Sequence, residues 1–141
     1  MTPEQDIAGI VASVCESSGH WPYTRDAELY IGYRPGVEEL KMAGDRVFST
    51  EIEYDIVIAA KRGASAGQME RLRYQLYNAL WRGGWKLKGV PGPESYVDAH
   101  EMFLWPLTVV KRFCVDGDGQ PETPAEYAAR MKAAQEEGED A

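Results

Sequence analysis

The run FSTEIEYDIVIAAKR, residues 48–62, constrains the fold of this chain more than any other stretch. Ile52, Tyr54, Ile56 and Ile58 alternate with Glu51, Glu53 and Asp55. Successive side chains of a strand point to opposite faces, so this pattern demands one covered face and one that meets water or a polar partner. From Val57 onward both sets are apolar, which predicts deeper cover at that end. The next segment, SAGQMERLRYQLYNALWRGGW, supplies a helix with Met69, Leu72, Leu76, Ala79 and Leu80 on one stripe. Tyr74, Tyr77 and Trp81 form a second stripe, expected to widen the buried face. Gly83 and Gly84 stop the helix.

The flanking segments complete an α+β pattern. Thr2, Pro3 and Gln5 form a helix start, followed by Ile7, Ile10, Val11 and Val14 at helical spacing, with an end expected near Ser17–Gly19. An irregular linker then leads to a short strand at 28–34. RPGVEELKMAGD reads as a loop with turn residues at both ends. After the central helix come a short strand in WKLKGV, a rigid PGPES turn, and a short strand, turn and long strand within SYVDAHEMFLWPLTVVKRF. A DGDGQPETP loop leads to a last helix with Pro124 at its start and a Thr123–Glu126 capping box. Tyr127 and Met131 are its only sizeable apolar side chains, so it belongs on the surface. The order α–β–β–α–β–β–β–α predicts an α+β fold. Its sheet is mainly antiparallel or mixed, with a long helix packed on one face and further helices at both termini. Residues 1–115 read as one domain, and 116–141 as an acidic loop, surface helix and tail.

Pro106 interrupts the strand-like run 103–112. Proline cannot donate to a ladder, so the sequence places this strand at a sheet edge. There Pro106 either blocks unwanted pairing or bends the strand so that Trp105 faces a partner.

Composition narrows the function. The 141 residues suffice for one core, and no run of 18 apolar residues exists to span a membrane. The N-terminus lacks a basic region and reads as no secretion signal, so a cytoplasmic start is expected. Cys15 and Cys114 lie far apart without C-x-x-C spacing and read as small buried hydrophobes. A net charge of −8 opposes simple nucleic-acid binding. The charge is also segregated: residues 1–70 carry −6, 71–115 carry +4 and 116–141 carry −6. Faces of opposite sign suit head-to-tail contact between identical copies.

Motifs for chemistry are sparse. His20 and His100 have no second histidine at ligand spacing, and DGDG at 116–119 lacks the later ligands of a calcium loop. That segment reads as a turn. RGASAG at 62–67 precedes a helix and is a weak candidate for an anion cradle. Glu51, Glu53 and Asp55 read as a solvated face, and no nucleotide or hydrolase fingerprint occurs. No enzyme, metal or cofactor is expected. An alternative in another class is a small-molecule or peptide binding module, with Trp85, Tyr96 and Trp105 around a pocket.

Five segments carry a likeness: LYIGYRPG, the strand ending DIVIAAKR, ERLRYQLYNALWRGGWKL, PGPESY and FLWPLTVVKRF. In this order, from Glu28 to Phe113, the chain resembles the tail-terminator and head–tail joining proteins of long-tailed bacteriophages. The resemblance implies a structural virion protein, commonly a hexameric ring, assembled in the host cytoplasm and built into the tail or neck. Such a ring ends polymerisation of the tail tube and docks the head connector, with DNA only passing through. Its partners would be further copies, the major tail tube protein and a head-completion or connector protein, and no membrane. Another neck component, such as a head-closure or tail-completion factor, fits the same segments. Subunit or partner contacts are then expected at Tyr33, Arg34, Glu51, Glu53, Asp55, Trp105, Lys111 and Arg112. Strands 28–34 and 101–113 are the expected edges, and the 33–46 loop the expected contact with tube or connector.

Overall fold

A computed structural model describes residues 1–22, 27–64, 66–98 and 101–139. Along the chain run α1 (Pro3–Val14), β1 (Ser18–His20), β2 (Leu29–Ala43), β3 (Arg46–Lys61) and α2 (Ala66–Arg82). Then follow β4 (Lys86–Leu87), β5 (Ser95–Val97), β6 (Met102–Val115), β7 (Pro121–Glu122) and α3 (Pro124–Glu139). The fold is α+β. Its mixed sheet runs β1-β2-β3-β6-β4, with β5 and β7 also paired to β6. Among the described residues only the β1–β2 pair is parallel.

Local chemistry sets most boundaries. Thr2 Oγ1 accepts the Gln5 N–H at 3.1 Å and Gln5 Oε1 accepts the Thr2 N–H at 3.0 Å, the reciprocal capping box read from sequence. Thr123 and Glu126 repeat it at α3. The end of α1 comes earlier than Ser17–Gly19. Cys15 is already extended, and residues 18–20 lie along β2, with Ile31 N–H donating to Ser17 O at 3.1 Å. Sheet pairing therefore takes the residues expected to stop the helix, and puts His20 in a strand rather than a linker. His100 lies outside the described residues, as does Ser65 of the RGASAG segment.

The largest departure is the 33–46 segment. It is no loop: β2 and β3 form a hairpin of 15 and 16 residues, paired from Leu29↔Ala60 to Ala43↔Arg46. Pro35 and Gly36 fall at a bulge between Pro35 and Glu38, so these breakers bend the strand instead of ending it. Gly44, at φ +65°, opens the two-residue turn at the tip, a backbone geometry that glycine adopts without strain.

The edge assignments also change. β6 is interior, with β3 on one side and β4, β5 and β7 on the other. Pro106 sits opposite Val57, and its carbonyl accepts the Gly92 N–H at 2.7 Å on the side away from β3. A residue's N and C=O point to the same side of a strand, so the missing N–H faces the gap between β4 and β5. The β3–β6 ladder does not need it. Strand 28–34 is covered in part by β1, which leaves the later part of β2 as the open edge.

Alternation along β3 holds. Ile52, Tyr54, Ile56 and Ile58 are all buried, in one cluster with Ile7 and Val11 of α1 and Met69, Leu72, Leu76 and Leu80 of α2. Trp85 lies in the same cluster, edge-on to Tyr54 at 5.7 Å and tilted against Phe113 at 5.8 Å. On the opposite face Tyr30, Ala59 and Met102 form a smaller cluster, the deeper cover expected beyond Val57. Of the aromatic stripe of α2, only Tyr77 packs against the core, whereas Tyr74 is 57% and Trp81 71% exposed. Removing Leu76 by L76A should therefore lower unfolding free energy by about 2–5 kcal/mol. W81A, despite the larger side chain, should change it by less than about 0.5 kcal/mol. Urea denaturation of both variants checks the contrast.

Candidate functional site

The eight residues expected at contacts separate into two groups. Arg34, Glu51, Glu53, Asp55 and Arg112 share the polar face of the sheet. Arg34 lies 3.9 Å from Asp55, which also accepts the Thr108 hydroxyl at 3.0 Å. Lys88 pairs with Glu53, and Glu51 stands between Glu39 and Arg112 on neighbouring strands. Arg112 is exposed and contacts Ser49 Oγ at 3.4 Å. Two of the acids of β3 thus meet cations, Asp55 the Arg34 of β2 and Glu53 the Lys88 that follows β4. Such exposed pairs contribute about 0–1 kcal/mol each, so this grid shapes the surface more than it stabilises it.

Tyr33, Trp105 and Lys111 do not reach that surface. Tyr33 is buried beside His20, with ring centroids 5.2 Å apart. Trp105 is held from two sides. Its Nε1–H donates to Tyr77 Oη at 2.8 Å, and the Arg73 guanidinium stacks 4.1 Å from its ring. A Cβ at Gly92 would come within 2.9 Å of the same indole, so the PGP turn closes the other side only because that residue is glycine. The partly buried indole is thus held in place by its own subunit.

Lys111 forms the most enclosed polar contact. Its ammonium donates to Asp6 Oδ2 at 2.6 Å and to the Gly83 carbonyl at 2.7 Å, while Trp85 Nε1–H donates to the same Asp6 oxygen at 3.0 Å. The side chains are 9% and 13% exposed. This knot ties α1, the end of α2 and β6 together. Lys111 therefore has a structural role within its own subunit.

Sequence reasoning missed two features. The outer part of the hairpin exposes Val37 (66%), Leu40 (53%), Met42 (54%) and Phe48 (40%). Gly44-Asp45, flanked by Leu40, Met42 and Val47, was the available hairpin signal. Two clefts also form, which no linear motif marks. One, of about 640 Å³, lies between the start of α1, the hairpin and the 115–121 segment, with Tyr54, Glu4 and Glu38 on its walls. The other, of about 830 Å³, lies beside the Asp6–Lys111 knot and carries Arg82, Lys86 and Arg112.

Chemically, these sites offer binding surfaces. Of the aromatics weighed for a pocket, Trp85 is in the core and Tyr96 stacks on Phe103 at 4.9 Å. Asp116 Oδ1 accepts the N–H groups of Asp118 and Gln120, so DGDG is an Asp-closed turn. Cys15 and Cys114 are free and half-buried, and burial pushes the Cys15 thiol up. Among the described residues, no three His, Cys, Asp or Glu side chains gather to hold a metal, and no helix is long and apolar enough to cross a membrane. No family model and no curated protein matches the chain.

Two measurements probe these groups. K111A leaves Asp6 enclosed without its cation and should destabilise the protein by about 3–5 kcal/mol, whereas R112A should stay within about 0.5 kcal/mol. Burial, assisted by Glu4, raises the Tyr54 hydroxyl from 10.0 to about 12. The folded state therefore favours the neutral phenol. Its contribution is complete below pH 10 and is lost as pH rises towards about 12. Denaturation midpoints should fall across that window, and Y54F should flatten the fall.

Proposed function

We propose that the chain is a structural virion protein of a long-tailed phage. In this reading it forms a ring of about six copies on the head-proximal end of the tail tube, ends tube growth and docks the head connector. Its place is the neck of the virion, and it performs no catalysis. The order of segments from Glu28 to Phe113 supports this reading, and the α+β fold with its mixed sheet is in keeping with it. Charge supports it too. A subunit of net −8 gives a channel that repels DNA rather than retaining it.

One observation carries the proposal furthest. The hairpin arm places Val37, Leu40, Met42 and Phe48 in solvent beside the open edge of β2. Four exposed apolar side chains next to unpaired backbone groups invite association, and an arm of this kind suits a surface that is covered on assembly. The tube end is the assigned partner of this arm, in keeping with the contact role expected of residues 33–46. The other neck roles would direct the same arm at the connector.

Co-sedimentation with tail tubes tests the assignment. V37D combined with L40D should leave the fold intact and reduce tube binding at least about tenfold, since central apolar contacts dominate interface energies. Unchanged binding by the folded double variant would remove the tube from the reading.

A further inference from the structure

Helix α3 is fastened at its start and bare beyond it. Every side chain from Pro124 to Gly138 is exposed. Only its first two turns are tied down. The Met1 amine pairs with Glu126 at 3.1 Å, and Arg130 grips the buried Glu122 with Nε at 3.1 Å and Nη2 at 2.8 Å. Beyond Arg130 every side chain as far as residue 138 is exposed, Glu136 and Glu137 among them. A helical stretch shorter than about 12 residues is marginal in water without support, so this exposed second half calls for a partner.

The cleft of about 830 Å³ has the complementary character. Within it Asp6 is taken by Lys111, and Glu126 by the Met1 amine. That leaves Arg82, Lys86 and Arg112 facing Glu51 alone, a local surplus of cations on an acidic protein. Among the described residues none of these three cations forms an ion pair.

The acids cannot come from the same copy. Thr123 to Glu126 form one wall of the cleft, and α3 starts from that wall. At 1.5 Å per residue, Glu136 lies about 18 Å away along the helix axis. We propose that the acidic second half of α3 docks in the Arg82–Lys86–Arg112 cleft of a neighbouring copy. This contact is heterologous, since cleft and helix are different surfaces, and repeating it closes a ring or continues a filament. The inference rests on reading the chain as a self-assembling subunit, and it assigns the contact between copies to α3 rather than to the hairpin.

Paired charge reversals test it on the full chain. One variant carries R82E and K86E, the other E136K and E137K, with circular dichroism showing both folded. At low salt, light scattering should find the wild type assembled and each variant alone unassembled at the same concentration. An equimolar mixture should regain assembly, because each cleft then meets a helix of opposite sign. Wild-type assembly should weaken with added salt, as the screening length falls from about 10 Å at 0.1 M to about 3 Å at 1 M. A variant that assembles alone like the wild type, a mixture that stays unassembled, or a wild type monomeric at every concentration would each overturn the docking. Rings that persist in both variants would overturn it while leaving the ring reading intact.

Discussion

The unbroken pairing of β3 with β6, from Ser49↔Cys114 to Lys61↔Met102, is the constraint on which the other elements depend. It joins segments about fifty residues apart and fixes which side chains face the core. With that register set, Ile52, Tyr54, Ile56 and Ile58 lie beside Leu107, Val109 and Phe113, and the apolar stripes of α1 and α2 complete their cover. A slip by one residue would turn Glu51, Glu53 and Asp55 into this apolar cluster. The Asp6–Lys111–Trp85 knot then fastens α1 to β6 at one end of the pairing.

Much of this was legible in the residues because local and tertiary demands agree. The Thr2–Gln5 and Thr123–Glu126 caps, the alternation of β3 and the Met69–Leu80 stripe each specify an element without help from distant contacts. What escaped was decided by neighbours. Pro35 and Gly36 look like loop residues, yet the β3 partner strand absorbs them as a bulge. Pro106 looks like an edge marker, yet its missing N–H points into a gap between two short strands, where the strand can be interior at no loss. Trp81 looks like core, but the geometry of α2 turns it to solvent.

The candidate surfaces divide along the same line. Glu51, Glu53 and Asp55 could be placed on a shared face from their spacing alone, whereas Arg34 and Arg112 join that face only through the pairing of β2 and β6 with β3. Lys111 could not be distinguished from Arg112 by type or position. The difference is that its side chain points to the Asp6 side of β6, and alternation places adjacent residues on opposite faces. The two clefts arise where α1, the hairpin and the C-terminal segment converge, and no contiguous motif records such a meeting. Charge segregation along the chain was visible as sums, and the structure turns it into a cationic cleft and an exposed acidic helix.

The proposed role has an assembly consequence that one experiment reaches directly. Light scattering of the purified chain across a concentration series, paired with negative-stain images of the same sample, measures its assembled state. The account predicts closed rings of about six copies with an open channel. A protein that stays monomeric throughout, and that also fails to sediment with tail tubes, would contradict it.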